Sequence, residues 1–263
     1  ALGVTEPGAI AFAASTARRH APGEIRRITL RLNSGMFKNA FTCGIPGSDE
    51  VGNAHAAALG AVGADPDKGL ECLDGITSAQ AEAARKMVEN GLITVELQEI
   101  TSRIFIEATV ETDQGSAAVT IRDSHTNIVK IAENGVTVWE KETAAEAAGE
   151  EPPVIHRYTL AQLVDYAETV PAAELAFIRQ AFTTNLALFK AGLNSPKTTF
   201  ARYLLNANGG EVVSADSRKT ASLLCNAAIE ARVLGLPEPA MSITGSGAHG
   251  IIATLPLYAA YRV

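Results

Sequence analysis

The spacing of apolar residues changes twice along the chain. From Pro7 to about His20 small apolar residues recur at helical intervals, with Pro7 in the first turn and Thr5 or Glu6 placed to cap it. In "EIRRITLRLN" apolar and charged residues alternate, which predicts a strand over 25–33. The next stretch, "NSGMFKNAFTCGIPGSDEVGN", carries the glycine, proline and asparagine punctuation of a loop. Small residues predict a helix over about 50–63, and residues 65–76 read as a short turn or helix. "TSAQAEAARKMVENG" is an amphipathic helix, with Thr77 as its cap and Gly91 as its stop.

After Gly91 the apolar period drops from about 3.6 to about 2 residues. "ITVELQEI", "IFIEATVETD", "SAAVTIRD", "NIVKIAENG" and "VTVWEKE" read as a run of strands. Asp113-Gln114-Gly115 and Glu133-Asn134-Gly135 have the composition of hairpin turns. Strands joined by short turns imply an antiparallel sheet with one face against helices. The polar, alanine-rich "TAAEAAGEEPP" is a connector, and from Thr159 helices are predicted over about 159–168, 171–192, 196–207 and 216–235. The expected class is α+β: an antiparallel sheet of about five strands packed with helices over 1–153, then a mostly helical region over 154–263.

Composition narrows the function. Hydrophobic residues are 47% of the 263, enough for a sizeable core, and the abundant alanine suits closely packed helices. A net charge of −7 and the lack of a basic run or aromatic–basic stripe argue against a nucleic-acid partner. The apolar run Ile251 to Tyr261 is too short to span a bilayer and contains Pro256. Cys43, Cys72 and Cys225 are widely separated and odd in number, which makes no disulfide framework and fits a reducing cytoplasm.

Five short stretches carry possible chemistry. "GVTEP" puts Thr5 and Glu6 at a helix start, either as caps or as ligands of a bound group. Lys38 and Asn39 follow a strand in a loop, where a lysine is either solvated, a carboxylate partner or a base. In "DSHTNIV", His125 stands among hydrogen-bonding neighbours that can fix its tautomer for proton transfer, Thr126 and Asn127 included. His55 in "NAHAAALGAVG" reads as a helix-surface residue. Gly245-Ser246-Gly247 offers backbone N–H groups and a hydroxyl to an anion, with His249 close behind, or is only a tight turn. It has the spacing of neither a P-loop nor a dinucleotide fingerprint, and no zinc-protease or serine-hydrolase signature is present.

Taken together and in order, "ALGVTEP", "KNAFTCGIPGSDEVG", "AAALGAVGA", "DSHTNIV" and "AMSITGSGAHGIIATLP" resemble the L-cysteine desulfidase family, which is related to the serine dehydratase alpha chain. The resemblance covers most of the chain and is weakest over 141–212. It implies a lyase that removes a β-substituent from a small amino acid without pyridoxal phosphate. It also implies a 4Fe–4S cluster, but Val4 stands where the family pattern "GCTEP" has its first cluster cysteine, and valine cannot ligate iron. Relatives continue past "ATLP" through further helices. The resemblance therefore implies a split enzyme, completed by a separate polypeptide equivalent to the family's C-terminal helical part, with a truncated or cleaved chain as the alternative. Ile251, Ile252, Leu255 and Leu257 are expected to bury against that polypeptide.

The resemblance further implies roles. His125, His249 and Lys38 are the catalytic candidates. Thr5, Glu6, Asn39, Thr126, Asn127, Ser246 and Gly247 are the candidates for holding a small amino acid or a close analogue. The same site serves β-elimination or the reverse addition. The alternative is a non-catalytic or regulatory subunit that kept the fold and lost the cluster.

Overall fold

The computed structural model describes residues 4–38, 42–46, 48–142, 154–243 and 246–263. In chain order the first half contains α1 (Thr5–His20), β1 (Ile25–Asn33), the single turn α2 (Ser34–Phe37), α3 (Gly52–Gly63) and α4 (Ser78–Glu89). The strands β2 (Ile93–Glu99), β3 (Phe105–Thr112), β4 (Ser116–Arg122), β5 (Ile128–Glu133) and β6 (Val136–Glu140) follow. The second half is helical: α5 (Leu160–Thr169), α6 (Arg179–Asn194), α7 (Phe200–Ala207), α8 (Ser217–Val233) and α9 (Gly247–Arg262). The class is α+β, as the periodicity predicts.

The sheet has six strands in the order β2-β1-β3-β4-β5-β6. It is antiparallel except at one edge, where β1 and β2 run parallel. A direct β2–β3 hairpin, which sequence adjacency suggests, does not form. The alternating Ile28, Leu30 and Leu32 of β1 are fully buried, so β1 belongs inside the sheet, and the 34–92 crossover returns the chain parallel to it. Residues 100–104 then pass over the end of β1. Buried Asn33 makes that passage possible: its Nδ2 donates to the Thr101 carbonyl at 3.0 Å, and its Oδ1 accepts from Phe105 N–H at 3.1 Å. Both predicted hairpin turns are present, with Asn134 and Gly135 at φ 51° and 81° as a tight turn demands.

One face of the sheet is apolar. Ile106, Ala108 and Val110 of β3 and Ala117, Val119 and Ile121 of β4 are buried with α1 and α3. These two helices approach closely because their contact residues are small: a Cβ on Gly60 would lie 2.5 Å from the Ala11 carbonyl oxygen. The outer face is charged, with Arg31 bridging Glu96 and Glu107 on its two flanking strands at 3.2 Å each.

The helical half has its own core around Leu188, Leu223, Leu224, Ile251 and Leu255. Helix α6 starts at Arg179, later than the predicted 171, because residues 171–178 form turns and a short 3-10 segment. Helix α7 starts at Phe200, where the Glu230 carboxylate accepts the free N–H groups of Thr199, Phe200 and Ala201 at 2.8–3.0 Å. In α9, Ile251 and Leu255 turn inward onto α6 and α8 and are fully buried, which corrects the expectation that they face a partner. Ile252 and Leu257 do point outward, at 53% and 65% exposure.

The halves meet at glycines. Gly44 N–H donates to the Val233 carbonyl at 2.9 Å, and a Cβ on Gly235 would lie 2.8 Å from the Gly44 carbonyl carbon. Two main chains therefore touch where a loop of the first half meets the end of α8.

Candidate functional site

Four segments distant in sequence supply the candidate site. The first is the start of α1. Val4 is the N-cap residue, extended and almost buried, with no side-chain cap bond. Thr5 and Glu6 are thus the first helical residues, and neither caps the helix. The helix start is wedged in the interior: a Cβ on Gly8 would lie 2.9 Å from the Leu70 carbonyl oxygen. Glu6 is held half-buried there.

The second segment follows β1. Fully buried Asn53 donates from Nδ2 to the Met36 carbonyl at 2.9 Å, which fixes α2 against α3 and so places exposed Lys38 at the end of α2. Among the described residues Asn53 Oδ1 has no partner. Asn39 lies outside the described residues. Cys43 is buried beside the Gly44–Val233 contact. Burial raises its thiol above the ordinary range and the Glu6 carboxylate adds to this, while Lys38, a hydrogen bond with Thr42 and Arg232 act the other way.

The third segment is the β4–β5 connection. Asp123 takes a positive φ of 65°, and its N–H donates to the Ile104 carbonyl at 3.1 Å. Asn127 spans the loop: Nδ2 donates to the Arg122 carbonyl at 3.0 Å and Oδ1 accepts from Lys141 Nζ at 2.7 Å. Its side chain therefore shapes the loop that carries His125. Thr126 is exposed. His125 is half-buried, and burial lowers its pKa below the ordinary value of 6.5, with the Glu6 carboxylate opposing the shift.

The fourth segment joins α8 to α9. Ser246 is the N-cap of α9, its Oγ accepting from His249 N–H at 3.3 Å, and Ile243 and Ser246 exchange backbone hydrogen bonds. Thr244 and Gly245 lie outside the described residues. His249 is exposed on the first turn. Fully buried Asn185 of α6 secures this region: its Oδ1 accepts from Met241 N–H and its Nδ2 donates to Thr254 Oγ1, both at 3.0 Å.

Arg232, which the sequence reading passed over, borders the fourth segment. Its Nε is 2.6 Å from the position a Cβ would take on Gly247, so the guanidinium packs against the start of α9. Burial lowers its pKa, opposed by Glu6 and Cys43. The carboxylate of Glu6 acts electrostatically on Cys43, His125 and Arg232 alike. Glu6 thus lies within electrostatic range of His125, Cys43 and Arg232, and Cys43 within that of Lys38 and Arg232. The only sequence signal for Arg232 was a cation in an apolar helix end, "ARVLGLP", which many helices carry to favour the C-terminal dipole.

His55 has an ordinary explanation, its Nδ1 contacting the Val51 carbonyl at 3.0 Å one turn back. A cleft of about 590 Å³ also opens along the seam between the halves, lined by Asp49, Glu50, Glu82, Arg85, Lys197 and Pro237 among others. None of the sequence-derived candidates lines it, and Lys197–Asp49 and Arg85–Glu82 are already paired.

The family model of the serine dehydratase alpha chain matches residues 67–263. The chain belongs to this family. It is similar to a UPF0597 protein of Clostridium botulinum strain Langeland, 36% identical over 98% of this chain and 61% of that protein. UPF0597 proteins of Dichelobacter nodosus and Aeromonas hydrophila are each 35% identical over all of this chain, and over 61% and 60% of their own lengths. The chain thus spans about three-fifths of the length of these relatives. No solved structure matches it.

Membership of the serine dehydratase alpha chain family raises the question of an iron–sulfur cluster. The position the resemblance assigns to a thiolate is Val4, a buried hydrocarbon side chain. Cys72 lies under α1 with Sγ 3.7 Å from the Gly8 carbonyl oxygen, and burial pushes its pKa up to about 12. Cys225 lies in the core of the helical half and is pushed up to about 11. Cys72 and Cys225 thus belong to separate cores, and among the described residues the cysteines are not grouped as such a site requires. Among the described residues no three His, Cys, Asp or Glu side chains are grouped to hold a metal ion, and no helix is long and apolar enough to cross a membrane.

Proposed function

We propose that this chain carries the amino-acid site of a lyase that removes a β-substituent from a small amino acid, or adds one in reverse, without pyridoxal phosphate. The observation that carries this reading is a half-buried His125 within the electrostatic range of Glu6, which also acts on Cys43 and Arg232, in a serine dehydratase-like chain. A half-buried, neutral imidazole is suited to take the α-proton. With L-serine, the β C–O bond then breaks, the hydroxyl leaves as water once protonated, and 2-aminoacrylate hydrolyses to pyruvate and ammonia. With L-cysteine the leaving group is sulfide. His249, exposed at the start of α9, is the proposed acid for the leaving group. Lys38, Thr5, Thr126 and Asn127 are the proposed substrate-binding residues, with Ser246 and Gly247 at one end; Asn39, also a candidate, lies outside the described residues.

The rest of the site belongs, in this proposal, to a separate polypeptide equivalent to the part of the relatives that this chain does not span. The exposed Ile252, Leu257 and Tyr261 of α9 support such a cover. Three buried, unpaired cysteines are in keeping with a reducing, cytoplasmic setting.

The experiment is pyruvate release from L-serine and L-cysteine by anaerobically purified protein, alone and with the complementary polypeptide. The same assay is run with His125→Asn and His249→Ala, and unchanged turnover in both variants removes them from the mechanism. A second reading, a regulatory subunit that kept the fold, is favoured by Val4. It predicts no pyruvate from either amino acid and a change in a partner's activity instead. Iron in stoichiometric amount would count against it.

A further inference from the structure

Helix α5 is well formed yet almost bare. A capping box closes its N-terminus: Thr159 Oγ1 accepts from Gln162 N–H at 3.3 Å, and Gln162 Oε1 accepts from Thr159 N–H at 2.9 Å. Among the described residues its hydrogen bonds stay within 159–170. Nine of its ten residues are exposed, and only Leu163 is partly covered. An isolated helix shorter than about 12–15 residues is marginal in water, so a helix of this length normally owes its stability to packing.

The sequence supplies a face for that packing. Leu160, Leu163, Val164 and Ala167 recur at i, i+3, i+4 and i+7 and make one apolar stripe, with Gln162, Asp165 and Thr169 on the opposite side. Leu160, Val164 and Tyr166, with Phe177 just beyond the helix, are 47–78% exposed. Apolar surface gathered in this way marks an interaction site.

A second copy of this chain is a poor cover for the stripe. Helix α5 carries two acids, Asp165 and Glu168, and no base, so a second α5 offers it like charge and no complement, between chains of net charge −7. The relatives contain a better one. The matches to the Dichelobacter nodosus and Aeromonas hydrophila proteins take in all of this chain, α5 included, and leave about two-fifths of each protein over.

We propose that α5 is a docking arm for the separate polypeptide that completes this chain, its stripe lying in an apolar groove of that polypeptide and Glu168, on the flank of the stripe, meeting a basic residue at the rim. Helix-in-groove recognition uses this same spacing of anchors. This rests on the separate polypeptide proposed above and not on the reaction, and it adds a contact that α9 does not supply.

The probe is the part of the Dichelobacter nodosus UPF0597 protein that this chain does not span, co-expressed with the full chain. Dissociation of the co-purified complex on dilution gives Kd for the wild type, for Leu160→Glu/Val164→Glu and for the opposite-face control Thr169→Gln. Amide hydrogen exchange in α5 is followed with and without the probe. Leu160 and Val164 are exposed, so the double variant alone should keep the wild-type unfolding midpoint. It is expected to raise Kd about 100-fold or more, and Thr169→Gln by less than about 3-fold. Exchange in α5 should be fast in the isolated chain and at least about 10-fold slower in the complex. Should the double variant lose its midpoint, the exchange comparison in the wild type decides. A folded double variant that binds like the wild type, or α5 exchange untouched by the probe, overturns the arm and leaves the separate polypeptide standing. Slow α5 exchange in the chain alone overturns it too: with a doubled mass in sedimentation the stripe belongs to a second copy, and with a monomer mass to this chain itself. A wild type that forms no complex removes the separate polypeptide and the arm with it, while pyruvate release still measures the lyase reading on its own.

Discussion

Gly44 N–H donates to the Val233 carbonyl at 2.9 Å, and this one backbone bond joins the loop that carries Cys43 to the helix end that carries Arg232. A Cβ on Gly44 would run into the Leu234 carbonyl group and the Gly235 nitrogen, all main-chain atoms that cannot swing aside. Gly44→Ala must therefore push the loop off α8. The expected cost is about 1–3 kcal/mol of stability, read as a lower midpoint in urea unfolding. Turnover should fall more than that loss of folded protein explains, because Cys43 and Arg232 move apart. An alanine variant with wild-type stability and turnover would show that the seam does not organise the site.

The pH dependence follows from His125. Its folded-state pKa lies below 6.5 because burial disfavours the imidazolium, so the ring is neutral and able to accept a proton at pH 7. As pH falls through the lowered value, the base is protonated and kcat/KM should drop, with the acid limb centred below 6.5. Stability moves in the same direction: below 6.5 the unfolded chain binds the proton first, so the folded state loses ground until its own pKa is passed. His125→Asn should abolish both dependences and lower kcat by about 10²–10⁴-fold. An acid limb that survives in His125→Asn assigns the base elsewhere.

How much of this could be read in the sequence differs by element. The helices capped by Thr77 and Thr159 could be read because a side chain next in sequence satisfies their free N–H groups. The start of helix α7, predicted at 196 and found at Phe200, could not, because its cap is Glu230, thirty residues further along. The hairpin turns were legible from Asp113–Gly115 and Glu133–Gly135, whereas the position of β1 between β2 and β3 depends on burial from both sides and on the Asn33 bridge. In the site, His125 was visible as a motif. Arg232 was not, since its significance comes from Glu6 and Gly247, neither of them near it in sequence.

Asn185 illustrates the same limit and is directly testable. It was an unremarked residue in the helical stretch "FTTNLALF", yet in the fold it satisfies Met241 N–H and Thr254 Oγ1 in a fully buried position. Truncation leaves the Met241 donor without a partner and opens a void between α6 and α9. Asn185→Ala should cost about 2–4 kcal/mol, measured by denaturant unfolding. Because Met241 leads into the Ser246 cap, KM should also rise. A change below about 0.5 kcal/mol would mean that the network does not hold α9 in place.

Cysteine reactivity offers a map of the site that needs no substrate. With pKa values of about 12 and about 11, native Cys72 and Cys225 have almost no thiolate at pH 8, roughly one part in 10⁴ and in 10³. They should resist an aromatic disulfide reagent until the protein is unfolded. Cys43 is raised by burial and by Glu6 but drawn back by Lys38 and Arg232, so it should react first. Glu6→Gln removes the opposing carboxylate and should speed its labelling, and Lys38→Met should slow it. Labelling rates indifferent to both substitutions would place Cys43 outside the field of Glu6 and separate the thiol from the charged cluster that defines the site.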